Sequence, residues 1–171
     1  MLAVRRLALW GALAILTSAF VIATPARAQV TAFMQSVAEA AASDRDVAAF
    51  YKANGYKAVW TGRSAKDKAR RSALLRAIAD APMHGLPQRA YDVDTLKINL
   101  RSVKSERDLG RIEVQMSKIF LDYARDIQTG VLTPSQIDSE IVRKVPLRSR
   151  TSLLATLVKS NPKSFMRALP P

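Results

Sequence analysis

The sequence of 171 residues contains no cysteine, and its only histidine is His84. The lack of cysteine excludes a disulfide framework, a thiolate metal site and a cysteine nucleophile within these residues. Acidic residues are also scarce, because 14 Asp and Glu stand against 27 Lys and Arg and give a formal net charge of +13. The hydrophobic fraction of 49% is too high for a disordered tail and too low for a multispanning membrane protein. One globular domain is therefore predicted.

The first 28 residues have the three parts of a secretory signal peptide. Arg5 and Arg6 form a basic start, residues 7–23 are apolar, and residues 26–28 read Ala-Arg-Ala, which is a cleavage pattern. We predict cleavage after Ala28, and hence a periplasmic or otherwise exported protein with no stable membrane span after processing. An uncleaved anchor helix is the alternative. Three arginines and no acid lie in this segment, so the net charge of the remaining chain is +10.

Apolar residues recur at three- and four-residue steps through most of the remaining chain, which predicts an all-α, bundle-like domain. The longest predicted helix begins after Ser105, where Asp108 completes a capping-box-like start, and it ends at Thr129-Gly130. We predict a helical segment over residues 29–43, followed by a helical domain at residues 44–171.

Two shorter regions carry further expectations. Residues 56–60 are predicted to form a short extended piece after a helix that ends at Asn54-Gly55. Residues 64–80 are predicted to form an amphipathic helix with its Leu and Ile residues inward and its Lys and Arg residues, including Arg70, outward.

Three clusters occur in a characteristic order. Residues 50–60 read F-Y-K-A-N-G-Y-K-A-V-W, residues 81–91 read A-P-M-H-G-L-P-Q-R-A-Y, and residues 121–130 read L-D-Y-A-R-D-I-Q-T-G. Together with the leader, they resemble the scaffold domain of large, multi-domain periplasmic murein L,D-transpeptidases over residues 44–171. The motif positions, for which the resemblance implies a structural role, are Phe50, Tyr51, Tyr56, Trp60, His84, Gly85, Leu86, Tyr91, Tyr123, Gly130 and Pro134.

The resemblance also implies what this chain lacks. In that family, a peptidoglycan-binding module and a catalytic domain follow, and an H-G-C motif supplies the nucleophile. Because the sequence has no Cys and ends at Pro171, we expect a truncated member without catalysis of its own. Its expected association is with peptidoglycan cross-linking and cell-wall organisation. The expected partners are peptidoglycan or a transpeptidase catalytic domain, contacted through apolar faces such as the one that carries Tyr56 and Trp60.

An enzymatic alternative stays open. A cysteine-independent cell-wall hydrolase would use His84 as a general base, or the acids Asp122 and Asp126, which share one helix face. We interpret His84 as a residue that orders its own loop, and the two acids as partners in surface ion pairs with neighbouring Lys and Arg residues. We predict no catalytic residue, no metal ligand and no cofactor.

A binding alternative rests on the positive charge. Arg63, Lys66, Arg70 and Arg71 form a candidate anionic-ligand patch on the outer face of the helix predicted at residues 64–80. A free-standing basic adaptor would use such a patch to bind anionic envelope polymers. Nucleic acid is not a predicted partner, because the chain is expected to be exported and its aromatic residues lie mainly on core stripes.

Overall fold

The computed structural model describes residues 30–87, 90–130 and 146–169. These residues form seven α-helices and one 3-10 helix and contain no β-strand, which confirms the predicted all-α class. The 3-10 helix is Ala81–His84, and the α-helices are α1 (Ala32–Ala41), α2 (Arg45–Ala53), α3 (Ala65–Ala79), α4 (Val93–Arg101), α5 (Glu106–Thr129), α6 (Arg150–Lys159) and α7 (Pro162–Arg167). The predicted signal peptide and Pro134 lie outside the described residues.

The 24-residue helix α5 is the central element, and it packs against α1, α2, α4 and α6. Ser105 caps its first turn as predicted, because its hydroxyl oxygen accepts a hydrogen bond from the Asp108 backbone N–H at 3.1 Å. Buried residues occur on more than the one predicted stripe of this helix, and they include Glu113 and Ser117 as well as apolar side chains. The helix therefore contacts neighbours on several sides.

Helix α1 lies along the N-terminal half of α5, where Gly110 permits a close approach of the two backbones. A Cβ atom at Gly110 would lie 2.7 Å from Ser36 Cβ and 2.9 Å from the Phe33 carbonyl oxygen. The Ser36 hydroxyl donates to the Arg107 carbonyl at 2.7 Å, so this contact also carries a hydrogen bond. The N-terminal helical segment thus packs on the helical domain that we predicted to begin at residue 44.

The connection between α2 and α3 differs from its prediction. Residues 54–56 form a turn in which both Gly55 and Tyr56 have positive φ, and residues 57–63 continue as irregular bends. The predicted extended piece at residues 56–60 is therefore wrong. The predicted helix that follows is correct, because Ser64 and Asp67 form a capping box at the start of α3.

The C-terminal helices close the bundle. Helix α7 packs against α3, and α6 packs against α2. The Arg150 guanidinium links α6 to the start of α2 through ion pairs with Asp44 and Asp46. Rings from three parts of the chain also meet here, since the Phe120 ring lies 5.7 Å from that of Trp60 and 6.2 Å from that of Phe165, measured between centroids.

Candidate functional site

A fully buried carboxylate, that of Glu113, joins α5 to the α2–α3 connection. It accepts from the Tyr51 hydroxyl at 2.8 Å and from the backbone N–H groups of Val59 at 2.7 Å, Trp60 at 3.1 Å and Thr61 at 2.8 Å. The Thr61 hydroxyl adds a fifth donor at 2.8 Å. Three successive backbone N–H groups thus form an anion-binding nest around an internal carboxylate. Because five donors converge on two oxygens, the acceptor-only carboxylate form matches this environment.

The carbonyl groups of the same connection are held from the other side by α3. The Arg70 guanidinium donates to the Val59 carbonyl at 2.7 Å and to the Asp67 carboxylate at 2.8 Å. Arg71 donates to the Trp60 carbonyl. Arg70 is only 5% exposed, so the prediction that it faces outward is wrong. Arg70 Nη1 donates to a carbonyl and a carboxylate, which offsets the cost of burying the charge, while its Nε–H has no hydrogen-bond partner among the described residues.

This arrangement corrects the predicted anionic-ligand patch. Arg63 and Lys66 are exposed, but Arg70 and Arg71 are committed to the connection before α3. The four residues therefore do not present four free cations on one outer face.

A series of hydrogen bonds with defined donors and acceptors leads from Trp60 through Ser117 and Tyr51 to Glu113. The Trp60 indole N–H donates to the Ser117 oxygen at 2.8 Å, and the Ser117 and Tyr51 hydroxyls lie 2.7 Å apart. Because Tyr51 gives its only proton to Glu113, the Ser117 hydroxyl is the donor to Tyr51. Burial raises the pKa of Tyr51 well above its usual value, and the neighbouring charge of Glu113 raises it further.

Trp60 is fully buried against Phe120, and Tyr56 is partly buried against the core. The burial of Trp60 agrees with its interpretation as a packing anchor. It is inconsistent with the expectation that an apolar face carrying Tyr56 and Trp60 contacts a partner, because the larger ring is already covered. Phe50 is likewise buried and meets Tyr51 edge to face, with ring centroids 5.1 Å apart.

A second polar contact ties the residue 81–91 cluster to the C-terminal half of α5. The Tyr91 hydroxyl donates to Asp126 at 2.7 Å, and its ring packs edge to face on Tyr123 with centroids 5.8 Å apart. Burial raises the pKa of Tyr91 above its usual value, and the hydrogen bond to Asp126 contributes in the same direction. Arg125 donates two hydrogen bonds to the other Asp126 oxygen, at 2.8 and 3.0 Å.

The two acids considered for hydrolysis occupy different environments. Asp126 is 6% exposed, so its interpretation as part of an exposed ion pair is wrong for that residue. Its oxygens are taken by Tyr91 and Arg125. Asp122 is partly exposed, and desolvation raises its pKa above the usual value against the opposing effect of Arg125. Asp126 therefore makes structural contacts inside the fold, whereas Asp122 is partly exposed to solvent.

His84 lies at the exposed end of the 3-10 helix. Gly85 follows with φ of 75°, as expected for a turn that needs the left-handed region, and the Leu86 backbone N–H donates to the Ala81 carbonyl at 3.1 Å. Leu86 is buried, so the loop is held by its apolar residue while His84 faces a groove. Gly130, the last described motif position, ends α5 with φ of 77°.

That groove lies between α3, the 3-10 helix, α5 and α7. Its lining includes the cations Arg76, Lys163 and Arg167 together with His84 and Tyr123, and its volume is about 240 Å³. It is separate from the Glu113 cluster, by which we mean Glu113, Tyr51, Ser117 and residues 59–61. None of these residues lines the groove.

Two negative findings apply to the described residues alone. They contain no group of three or more His, Asp or Glu side chains that could hold a metal ion. They also contain no helix that is both long enough and apolar enough to cross a membrane.

Comparison with known proteins gives one positive result. Residues 45–171 match the family described as "Scaffold domain". The chain belongs to this scaffold domain family. No curated protein and no solved structure matches the sequence. The scaffold domain match begins at the first residue of α2, so α1 packs on the domain from outside the matched range.

Sequence reasoning missed the residues at the centre of this scaffold domain. Glu113 and Ser117 are one helical turn apart, and Phe120 continues the same face. The signal available in the sequence was the charged residue Glu113 on a helix face that also carries core positions. Its partners lie 52 to 62 residues away along the chain, so the sequence did not indicate which donors would meet it.

Proposed function

We propose that this scaffold domain is an exported, non-catalytic module that supports or positions a catalytic domain of the L,D-transpeptidase type at peptidoglycan. The observation that carries the proposal is that the first two sequence clusters both contact α5, the helix that contains the third cluster. Tyr51 and Trp60 meet Glu113 and Ser117, and Tyr91 meets Asp126 near the other end of that helix.

The chemistry of these contacts supports a mechanical role. The buried polar groups of the clusters bind one another and the backbone, so they brace the helices and do not face a substrate. A satisfied buried network of this kind stabilises one arrangement of the chain because breaking it leaves several donors unpaired. A rigid body of this kind is suited to holding another domain in a fixed orientation.

The proposed location and partners rest on the leader and the charge. Residues 1–28 would direct export, and the net charge of +10 that remains would favour anionic polymers of the cell envelope. Peptidoglycan, which carries carboxylates, and a transpeptidase catalytic domain are the proposed partners.

The test combines binding with product analysis. We expect the purified chain to sediment with isolated peptidoglycan in a salt-sensitive manner and to bind a separately purified L,D-transpeptidase catalytic domain. Charge screening acts over about 8 Å at physiological ionic strength, so added salt should weaken the first interaction. The chain alone should neither cross-link nor cleave the polymer. The double substitution Arg63→Gln with Lys66→Gln tests the exposed cations, and Lys97→Gln with Arg101→Gln is a control on α4.

Three results would contradict the proposal. Failure to bind either partner at low salt would remove its basis. Binding to peptidoglycan without any affinity for the catalytic domain would favour the basic adaptor. Turnover by the chain alone that His84→Ala abolishes would establish the hydrolase alternative.

Export has its own test. Expression of the full sequence in a Gram-negative host should yield soluble periplasmic protein that begins at Gln29, which mass spectrometry of the N-terminal peptide detects. Membrane-bound protein that retains Met1 would favour the anchor helix.

A further inference from the structure

The groove beside His84 combines positive charge with an apolar floor. Arg76 comes from α3, and Lys163 and Arg167 come from α7, so cations from two helices face one concavity. Each of the three side chains is exposed, and among the described residues none of them forms an ion pair. Asp80 is the one acid in the lining, and it leaves a formal excess of two positive charges.

The floor of the groove is made of small and apolar side chains. Ala73 and Ala77 lie one turn apart on α3, and Met166 on α7 and Tyr123 on α5 are buried beneath the opening. Covering the carbon atoms of this floor with an apolar group lowers the free energy of the complex. Pairing the cations with an anion also lowers it. A ligand that satisfies both must carry a charged end and an apolar part.

The size of the groove limits that ligand. Pockets for drug-sized molecules have volumes of about 300–1,000 Å³, and this one has about 240 Å³. His84 is an exposed residue of the lining, and its imidazole can donate a hydrogen bond to an oxygen of the ligand.

We propose that this groove binds a small organic carboxylate whose charged end pairs with Arg76, Lys163 and Arg167 and whose apolar carbons rest on Ala77 and Met166. The inference depends on the groove alone and not on the proposed function of the domain. The carboxylate can belong to the free C-terminus of a short peptide or to an aliphatic acid, since both present the same chemistry.

The test is a titration of the full-length chain followed by NMR of ¹³C-labelled Met and Ala methyl groups. N-acetyl-alanyl-alanine and hexanoate are the two probes, and N-acetyl-alanyl-alanine amide and acetate are their matched controls. We expect saturable shifts of the Met166 and Ala77 methyl signals with at least one probe. The amide should bind more weakly than the free peptide because it lacks the charge, and acetate more weakly than hexanoate because it lacks the apolar chain.

Variants connect binding to the cations. Lys163→Gln and Arg167→Gln remove charge-assisted contacts and should each raise the dissociation constant of the bound probe by about tenfold. Lys159→Gln and Arg101→Gln remove exposed cations outside the groove and should leave it unchanged. Circular dichroism would confirm that all four variants keep the fold.

The outcomes separate the sources and can overturn the assignment. Preference for the peptide identifies a C-terminus as the ligand, and preference for hexanoate identifies an aliphatic acid. No binding by either probe, or binding that neither groove variant weakens, would refute the proposal. Equal binding of inorganic phosphate would show a general anion site and refute the role of the apolar floor.

Discussion

Glu113 shows how one residue can determine a local structure that has no regular hydrogen bonding of its own. In the connection between α2 and α3, the backbone N–H groups of residues 59–61 have no helical partners. They donate to the Glu113 carboxylate instead, which fixes the path of the connection. Arg70 and Arg71 then hold the carbonyl groups of the same stretch. The order of the connection therefore depends on charged side chains from two helices.

Replacing Glu113 tests this dependence. Glu113→Gln keeps the shape but turns an amide NH₂ towards groups that are themselves donors, so we expect a loss of about 3 kcal/mol in the free energy of unfolding. Urea denaturation of the variant and the wild type measures it. Glu106→Gln, on the exposed first turn of α5, should cost less than about 1 kcal/mol. Equal effects of the two substitutions would contradict the assignment.

The buried tyrosines predict a dependence on alkaline pH. The pKa of Tyr51 and the pKa of Tyr91 are both raised in the folded protein, above an ordinary value of about 10. Their contribution to stability is therefore complete below pH 10 and is lost as the pH rises above that value, because the unfolded chain releases these protons first.

Unfolding free energies measured in urea between pH 8 and pH 11.5 check this sign. We expect stability to fall above pH 10, with tyrosinate absorbance from the buried rings appearing only as the chain unfolds. Tyr91→Phe should have a shallower decline, although it is less stable at pH 8 because Asp126 loses a donor. The same slope in both proteins would be inconsistent with a raised pKa of Tyr91.

At the scale of helices, local sequence signals predicted where α3 and α5 start. They did not predict whether every charged side chain lies at the surface. The starts of α3 and α5 were predictable because Ser64 and Ser105 cap backbone groups only three residues away. Arg70 and Asp126 were assigned to the surface because a helical pattern records charge but not distant partners. Arg70 donates to the Val59 carbonyl, and Asp126 accepts from the Tyr91 hydroxyl. Both partners belong to other parts of the chain.

The contact between α1 and α5 gives a prediction at this scale. Gly110→Ala should gain about 1 kcal/mol in helix propensity, yet the methyl group would overlap Ser36 and the Phe33 carbonyl. Overpacking of this kind costs about 1–3 kcal/mol, so we expect net destabilisation. Amide hydrogen exchange should show that protection falls first in α1. Gln115→Ala, also on α5, is the control, and greater stability of Gly110→Ala would show that α1 does not pack as described.

For the whole molecule, α5 makes the helices interdependent. It contacts α1, α2, α4 and α6, and the rings of Trp60 and Phe165 both pack on its Phe120. The family match covers residues 45–171, but α1 also packs on this helix, and its Val37 and Ala41 are buried. No single cluster carries the architecture alone.

We therefore expect the chain to unfold in one cooperative transition. In a Trp10→Phe background, fluorescence reports on Trp60, which is buried at the junction of α5 and the α2–α3 connection. Circular dichroism at 222 nm reports on all helices, and the two signals should give the same urea midpoint, since a domain of this size ordinarily unfolds without stable intermediates. A helical signal that falls well before Trp60 becomes exposed would show that α1 or α7 unfolds independently. In that case the cooperative unit would be smaller than the set of helices that pack on α5, and it would be limited to the helices whose signal changes together with that of Trp60.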